Sequence, residues 1–151
     1  MAQIKEFRDY LQAIQDEIAG VNSNKVVVDP SQLSKFINDH STSDNAMLLG
    51  VLPVWGNNSP TDADNFMLKG FTEIMVLNKV DYSDNDNTAE IDSYDDLLIL
   101  AKAIVAKMLN DHIEECNMMK FLDPTSIQIV EVWNRTQYNG WNIIFTFGGY
   151  L

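Results

Sequence analysis

The sequence predicts an α+β fold in which a mostly antiparallel sheet of four or five strands packs against one long central helix, with another helix at the N-terminus. Residues 93–117 give the main evidence, because their apolar side chains recur at steps of three and four, which is typical of a helix with one apolar face. Residues 126–133 and 141–147 have the composition of strands and are separated by Asn139-Gly140, a strong hairpin signal. The whole chain gives the order α-β-α-β-β-α-β-β.

The first predicted helix covers residues 3–19, and Gly20 can close it in the left-handed conformation. Its apolar side chains form a narrow stripe at steps of 3, 4, 3 and 4: Ile4, Phe7, Leu11, Ile14 and Ile18. Such a stripe docks either on a groove of its own domain or on a neighbouring subunit. Residues 1–20 are therefore a candidate subunit interface.

Four further elements lie between this helix and the long one. Residues 25–28 form a short strand, and a helix of two or three turns with proline at its first position follows. Residues 46–55 and 66–80 form the two strands of a hairpin with a long connection. In these strands Pro53 indicates an edge or a bulge, and Gly70 indicates a bulge.

The long helix begins at Ser93, whose side chain can cap it, and ends near Asn117. A short apolar tail follows, and Asp123-Pro124 breaks it. Three side chains of this tail are further candidates for a subunit interface: Met118, Met119 and Phe121.

Length and composition indicate one domain, residues 1–151, since 46% of the residues are hydrophobic and can build a core. The one cysteine excludes an internal disulfide framework and fits a reducing compartment. No signal peptide and no apolar stretch of about 18 residues is evident, so we expect no membrane segment.

The charge is strongly acidic. The net charge is −12, and seven acids with no base lie between residues 81 and 96. Phosphate binding needs clustered Lys and Arg, whereas the ten basic residues of this chain are scattered. We therefore expect no direct or sequence-specific nucleic-acid binding. An acidic surface can still lie beside DNA, because it repels the backbone and lets it slide past.

The acidic segment 81–92 is the first candidate for chemistry, because it has the length of a calcium loop between helices. Four residues have the ligand spacing: Asp81, Ser83, Asn85 and Asp92. Two requirements fail, since Asp86 stands where the loop needs glycine and Asp92 stands where a bidentate Glu is preferred. A solvated acidic loop that caps the long helix is the better interpretation, and we expect no metal site.

His112 and Cys116 are four residues apart, but a structural zinc site needs four ligands and the chain has no second cysteine. Nothing suggests a base or an oxyanion site for catalysis by Cys116, and no glycine-rich phosphate loop is present. The three tryptophans fit a core or a subunit interface better than an aromatic ligand platform. We therefore expect no enzyme activity and no cofactor.

Three stretches together resemble small tail and neck proteins of phages and prophages from Bacteroides-like bacteria: FTEIMVLNKVDYSDNDN, DLLILAKAIVAKMLNDH and SIQIVEVWNRTQYNGWNIIFTF. The order of helix, hairpin, long helix and closing hairpin also resembles tail-terminator or tail-completion subunits. The resemblance covers residues 66–147, and this family has no catalytic residues to carry over.

The resemblance implies a structural virion protein of the phage head–tail connector or tail, assembled in the bacterial cytoplasm. It would form a homo-oligomeric ring, a hexamer or higher, and would bind other neck or tail proteins. The acidic loop would face solvent or the lumen of the ring. The alternative is a monomeric ligand-binding module whose acidic loop binds calcium.

Overall fold

The computed structural model describes residues 4–36, 46–57, 67–81, 83 and 86–150. Within these residues the elements are, in chain order, α1 (Ile4–Glu17), β1 (Val21–Val27), a first 3₁₀ helix (Pro30–Phe36), β2 (Ala46–Asn57), β3 (Met67–Lys79), α2 (Asn87–Ile113), a second 3₁₀ helix (Asn117–Phe121), β4 (Leu122–Arg135) and β5 (Tyr138–Tyr150). The predicted α+β class and the predicted order of elements are confirmed.

The five described strands form one sheet in the order β1-β2-β3-β5-β4. β1 pairs with β2 in parallel, and the other three pairs are antiparallel. β2 and β3 form the predicted hairpin with a long connection, and β4 and β5 form the closing hairpin. β1 and β4 are therefore the two outer strands of this sheet.

The first face of the sheet is covered by α1, α2 and the second 3₁₀ helix. Alternate side chains of the strands point into this layer, as the pleat of a strand requires. The larger cluster of buried apolar residues lies here, and its strand members include Leu48, Ile74, Val76, Ile143 and Phe145. Gly50 lets α1 approach the sheet, because a Cβ at this position would lie 2.5 Å from Leu11 and 2.9 Å from Phe7.

The second face is covered at one end by the first 3₁₀ helix. This helix packs Leu33 and Phe36 against a smaller cluster of buried side chains: Val27, Met47, Leu49, Val51, Met75, Leu77, Val132 and Tyr138. The Tyr138 hydroxyl donates a hydrogen bond to the Phe36 carbonyl at 3.2 Å. The side chains of this face become more exposed with distance from the 3₁₀ helix, and the far end carries the candidate site described below.

α2 differs from the prediction at both ends. It begins after Asp86 rather than at Ser93, because the Asp86 carboxylate caps the helix by accepting a hydrogen bond from the Ala89 N–H at 2.8 Å. It ends at Ile113 rather than near Asn117, because Glu115 has a φ of 54°, at which a right-handed helix cannot continue. The helix therefore starts inside the acidic segment.

The turn of the closing hairpin is Thr136-Gln137, with φ angles of 54° and 66°, and not Asn139-Gly140. Gly140 lies inside β5, where a Cβ would be 1.8 Å from the carbonyl oxygen of Val76 in β3. Glycine is therefore needed for the close approach of two strands rather than for the turn. The predicted hairpin is confirmed, but the predicted turn residues are wrong.

β2 contains a bulge at Pro53, as predicted, since its register with β3 shifts between Val51 and Val54. The Thr72 hydroxyl of β3 donates to the Val51 carbonyl at 2.5 Å, which satisfies a backbone acceptor beside the bulge. Gly70 does not mark a bulge, contrary to the prediction. It stays in register, and a Cβ there would lie 3.0 Å from two aromatic rings, so packing explains this glycine.

Candidate functional site

The predicted interface residues of α1 lie mainly in the core of their own chain. Phe7, Leu11 and Ile14 are 1% exposed or less, and Ile18 packs against the same core cluster. In this fold they are closed to a neighbouring subunit, and the prediction of an interface through them is corrected. Ile4, at the start of the stripe, is 59% exposed.

The interface candidates after α2 are buried too, which is a second correction. Met118 and Met119 are each 1% exposed, and Phe121 is partly buried against the core cluster. His112 helps to fix this segment, because its Nδ1 atom lies 2.9 Å from the carbonyl oxygen of Met119. The residues that looked like an exposed tail therefore close one end of the first face.

A polar cluster, buried at Tyr10 and Asp111 and exposed at Glu17, joins α1 to α2. The Tyr10 hydroxyl donates to the Asp111 carboxylate at 2.8 Å, and the Lys107 ammonium lies 3.1 Å from Asp111 and 2.8 Å from Glu17. Burial and the hydrogen bond to Asp111 raise the pKa of Tyr10 far above its ordinary value. Burial lowers the pKa of Lys107, but its bonds to Glu17 and Asp111 outweigh this effect and raise it. We call these four residues the helix clamp.

The predicted calcium loop is not one continuous loop. The Asp81 carboxylate accepts hydrogen bonds from the Ser83 hydroxyl at 2.6 Å and from the Ser83 N–H at 3.0 Å, and these bonds lower the pKa of Asp81. Asp92 lies in the second turn of α2, and Asn85 lies outside the described residues. Among the residues that the structure describes, no three His, Cys, Asp or Glu side chains are grouped so that they could hold a metal ion.

A cleft of about 430 Å³ lies beside the first half of α2. Asp92, Ser93 and Asp96 line its helix side, and Asn78 of β3 lines its sheet side. The Asn78 Oδ1 atom is buried without a hydrogen-bond partner. The cleft thus brings the acidic start of α2 to a concave surface.

The acidic start of α2 is also bonded to the closing hairpin. The Glu90 carboxylate accepts from the indole N–H of Trp133 at 2.8 Å and from the amide of Asn139 at 3.3 Å. The Tyr94 hydroxyl donates to a carbonyl of β4 at 2.6 Å, and its own backbone carbonyl accepts from the Trp141 indole at 2.9 Å. These contacts fix the hairpin against α2 and give Trp133 and Trp141 a structural role.

The far end of the second face is an apolar surface that the sequence reasoning missed. Val54 of β2 is 69% exposed, and Phe71, its partner on β3, is 49% exposed. Ile144 of β5 and Val130 of β4 continue this surface across the sheet. A shallow cavity of about 180 Å³ lies within it, between β2, β3 and Ile144. We call Val54, Phe71, Val130 and Ile144 the open end.

Polar groups lie within the open end. The Glu73 carboxylate is partly buried on the wall of the cavity and accepts a hydrogen bond from the Asn142 side-chain amide at 2.6 Å. Asn142, Ile144 and Thr146 alternate along one face of β5, so they share this side of the sheet. The Oδ1 atom of Asn142 and the Oγ1 atom of Thr146 are buried without hydrogen-bond partners. A carboxylate and two unpaired oxygen atoms therefore lie among apolar side chains.

The sequence holds one signal for this site, since Phe71, Glu73 and Met75 place an acid between apolar residues on one strand face. No protein-family model and no curated protein matches this chain. Within the described part of the chain, no helix has both the length and the apolar content needed to cross a membrane.

Proposed function

We propose that this chain is a ring-forming structural subunit of a phage head–tail connector or tail, of the tail-terminator or neck type, and that it is incorporated into the virion. The resemblance of residues 66–147 implies the order helix, hairpin, long helix and closing hairpin. The fold has this order, which supports the proposal. The subunit acts by assembly rather than by catalysis.

The observation that carries the proposal is that the sheet ends in two outer strands with further backbone groups to pair. The Asn22 carbonyl of β1 already accepts a hydrogen bond from the Gln15 side chain, and the Val132 carbonyl of β4 accepts one from the Tyr94 hydroxyl. Among the described strands, β1 and β4 each have a neighbour on one side only. The unpaired N–H and C=O groups of such an edge are a template for pairing with another chain. When the β4 edge of one copy pairs with the β1 edge of the next, the contact is head-to-tail, and head-to-tail contacts close into a ring if the rotation permits.

The regular part of the β4 edge matches β1 in length. The register of β4 with β5 shifts between Asp123 and Gln128 and again between Val132 and Arg135. Residues 128–132 are therefore the straight stretch of this edge. On the other side of the sheet β1 provides residues 23–27, because its register with β2 shifts between Val21 and Ser23. The bulges on either side of the straight stretch limit the contact to one short register, which favours a defined assembly.

The acidic start of α2 gives the proposed ring a surface suited to passing DNA. Asp92, Asp95 and Asp96 are exposed on α2, which packs over the first face of the sheet. In the ring this surface faces the lumen. There it repels the phosphate backbone, so that DNA passes without binding.

Hydrogen–deuterium exchange at dilute and concentrated protein tests the edge contact. We expect backbone amides of residues 128–132 and of Val21–Val27 to exchange more slowly in the concentrated, assembled protein. Peptides around Ile99, which is 65% exposed on the outer side of α2, serve as the internal control and should not change. Protection at α2 without protection at either sheet edge would contradict this mode of assembly.

The cleft beside α2 favours a second candidate function, a monomeric ligand-binding module whose acidic segment lies at this cleft. Asp92 and Asp96 provide the charge, and Asp81 lies on the segment that leads into the helix. Calorimetric titration with calcium chloride tests the sharpest form of this function. Heat that disappears in the Asp92→Asn variant would support it, and the absence of heat at millimolar calcium would remove calcium as the ligand.

A further inference from the structure

We propose that the open end is a docking site for a basic side chain, Arg or Lys, that is flanked by apolar residues on a partner protein. The side chains of the open end lie on one face of the sheet. Val130 belongs to the edge strand β4, but edge pairing uses backbone groups, so these side chains stay accessible when the edges pair. The inference is therefore independent of ring formation. It names a partner that differs from a second copy of the chain.

The apolar part of the site is the open end, whose four side chains come from four strands. Val54 and Phe71 are directly paired on β2 and β3, while Ile144 and Val130 lie on β5 and β4. A contiguous exposed apolar surface of this kind is typical of an interaction site rather than of a solvated face. The open end can therefore pack against the aliphatic side chains on either side of a partner's basic residue.

The polar part of the site consists of acceptors. Glu73 is partly buried beside the open end. No Lys, Arg or His in the described residues forms an ion pair with the Glu73 carboxylate. The nearby Lys69 ammonium is instead 3.7 Å from the Asp123 carboxylate and 6.0 Å from the centre of the Phe71 ring. A carboxylate among apolar side chains is stabilised when a partner supplies a cation that also donates hydrogen bonds.

Two further acceptors lie on either side of Glu73. The register pairs Glu73 with Ile144 of β5, so that Asn142 and Thr146 are the next residues of β5 on the same face. Asn142 is 9% exposed and Thr146 is 7% exposed, and each has one buried oxygen without a partner. Proteins rarely leave such atoms unpaired, because an unsatisfied buried polar atom costs about 1–3 kcal/mol.

A guanidinium or ammonium group fits the Glu73 carboxylate, which lines the cavity. Both groups carry several donors and no acceptor. A nucleic acid does not fit, because the carboxylate of Glu73 would repel a phosphate. The net charge of −12 attracts a basic partner to this surface.

Two short peptides test the proposal: acetyl-Val-Arg-Val-amide and its citrulline counterpart, which has nearly the same shape but no charge. Each is titrated into isotope-labelled full-length protein, and the Ile144 methyl group and the Asn142 side-chain amide are followed by NMR. We expect saturable shifts at both reporters with the arginine peptide, and at least tenfold weaker binding of the citrulline peptide. Equal binding of both peptides, or no shift at either reporter with the arginine peptide, would overturn the proposal.

The Glu73→Gln variant tests whether the Glu73 carboxylate causes the preference for the arginine peptide. In this variant we expect the ratio between the dissociation constants of the two peptides to fall below twofold. Glu131→Gln is the matched control, because it removes the same charge from an exposed residue of β4 on the other face. This control should keep the full ratio. A tenfold preference that survives in Glu73→Gln would contradict the site. The comparison of peptides on the unmodified protein decides the proposal even if the variant does not fold.

Discussion

The two faces of the sheet are closed in different ways. The first face is covered by α1, α2 and the second 3₁₀ helix, and the helix clamp joins α1 to α2. The second face is covered at one end by the first 3₁₀ helix, while the open end leaves Val54 and Phe71 exposed. The first face therefore mainly stabilises the fold, because its apolar area is buried. The open end of the second face is available to a partner, because its apolar area is exposed.

The largest effect expected from this difference is a contrast between two phenylalanines. Phe7→Ala removes a ring that is 1% exposed on the first face and should lower the free energy of unfolding by about 3–5 kcal/mol. Phe71→Ala removes a half-exposed ring from the open end and should cost about 1 kcal/mol or less. Urea denaturation measures both values. Similar losses in the two variants would break the distinction between a closed face and an open one.

A smaller effect is expected at the helix clamp. Tyr10→Phe removes a hydrogen bond to a buried carboxylate and should cost about 1.5–3 kcal/mol. Tyr94→Phe is the matched control, because its hydroxyl donates to a neutral carbonyl of β4 and should contribute only about 1 kcal/mol. Chemical denaturation compares the two variants at neutral pH. If Tyr94→Phe costs more than Tyr10→Phe, the clamp does not hold α1 as described.

The smallest expected effect is the pH dependence of the helix clamp's contribution to the free energy of unfolding. This contribution is constant near neutral pH and falls in alkaline solution. The folded-state pKa values of Tyr10 and Lys107 are both raised, so their stabilisation is complete below the ordinary values of 10.0 and 10.5 and is lost as pH rises above them. The advantage of the wild type over Tyr10→Phe should therefore shrink above pH 10, by up to about 1.4 kcal/mol per pH unit. Denaturation at pH 8, 10 and 11 measures this, and a constant difference would argue against a proton held by Tyr10.

The fold class could be predicted because it depends on local patterns. Apolar periodicity located α2, and strand composition located β4 and β5. The start of α2 could not be fixed from sequence, because Asp86 and Ser93 are both capping residues and only the structure shows that Asp86 caps. Gly140 was misread for a similar reason. Its role depends on the approach of β3, which is distant in the sequence.

The candidate site could not be predicted, because exposure depends on which elements cover each face. Phe71 and Met75 are both apolar residues on the same face of β3, yet Met75 is buried and Phe71 is half exposed. Their difference comes from the position of the first 3₁₀ helix, whose Leu33 and Phe36 cover only one end of the face. The stripe of α1 shows the converse, since the same apolar pattern that could have faced a subunit is buried by its own sheet.

The central claim is that copies of this chain assemble into a closed ring. Mass determination by light scattering after size-exclusion chromatography, at micromolar concentration, tests it most directly. We expect one discrete species of six or more copies of the 17.1 kDa chain, with a ring visible by electron microscopy. A strict monomer at every concentration up to the solubility limit would contradict it.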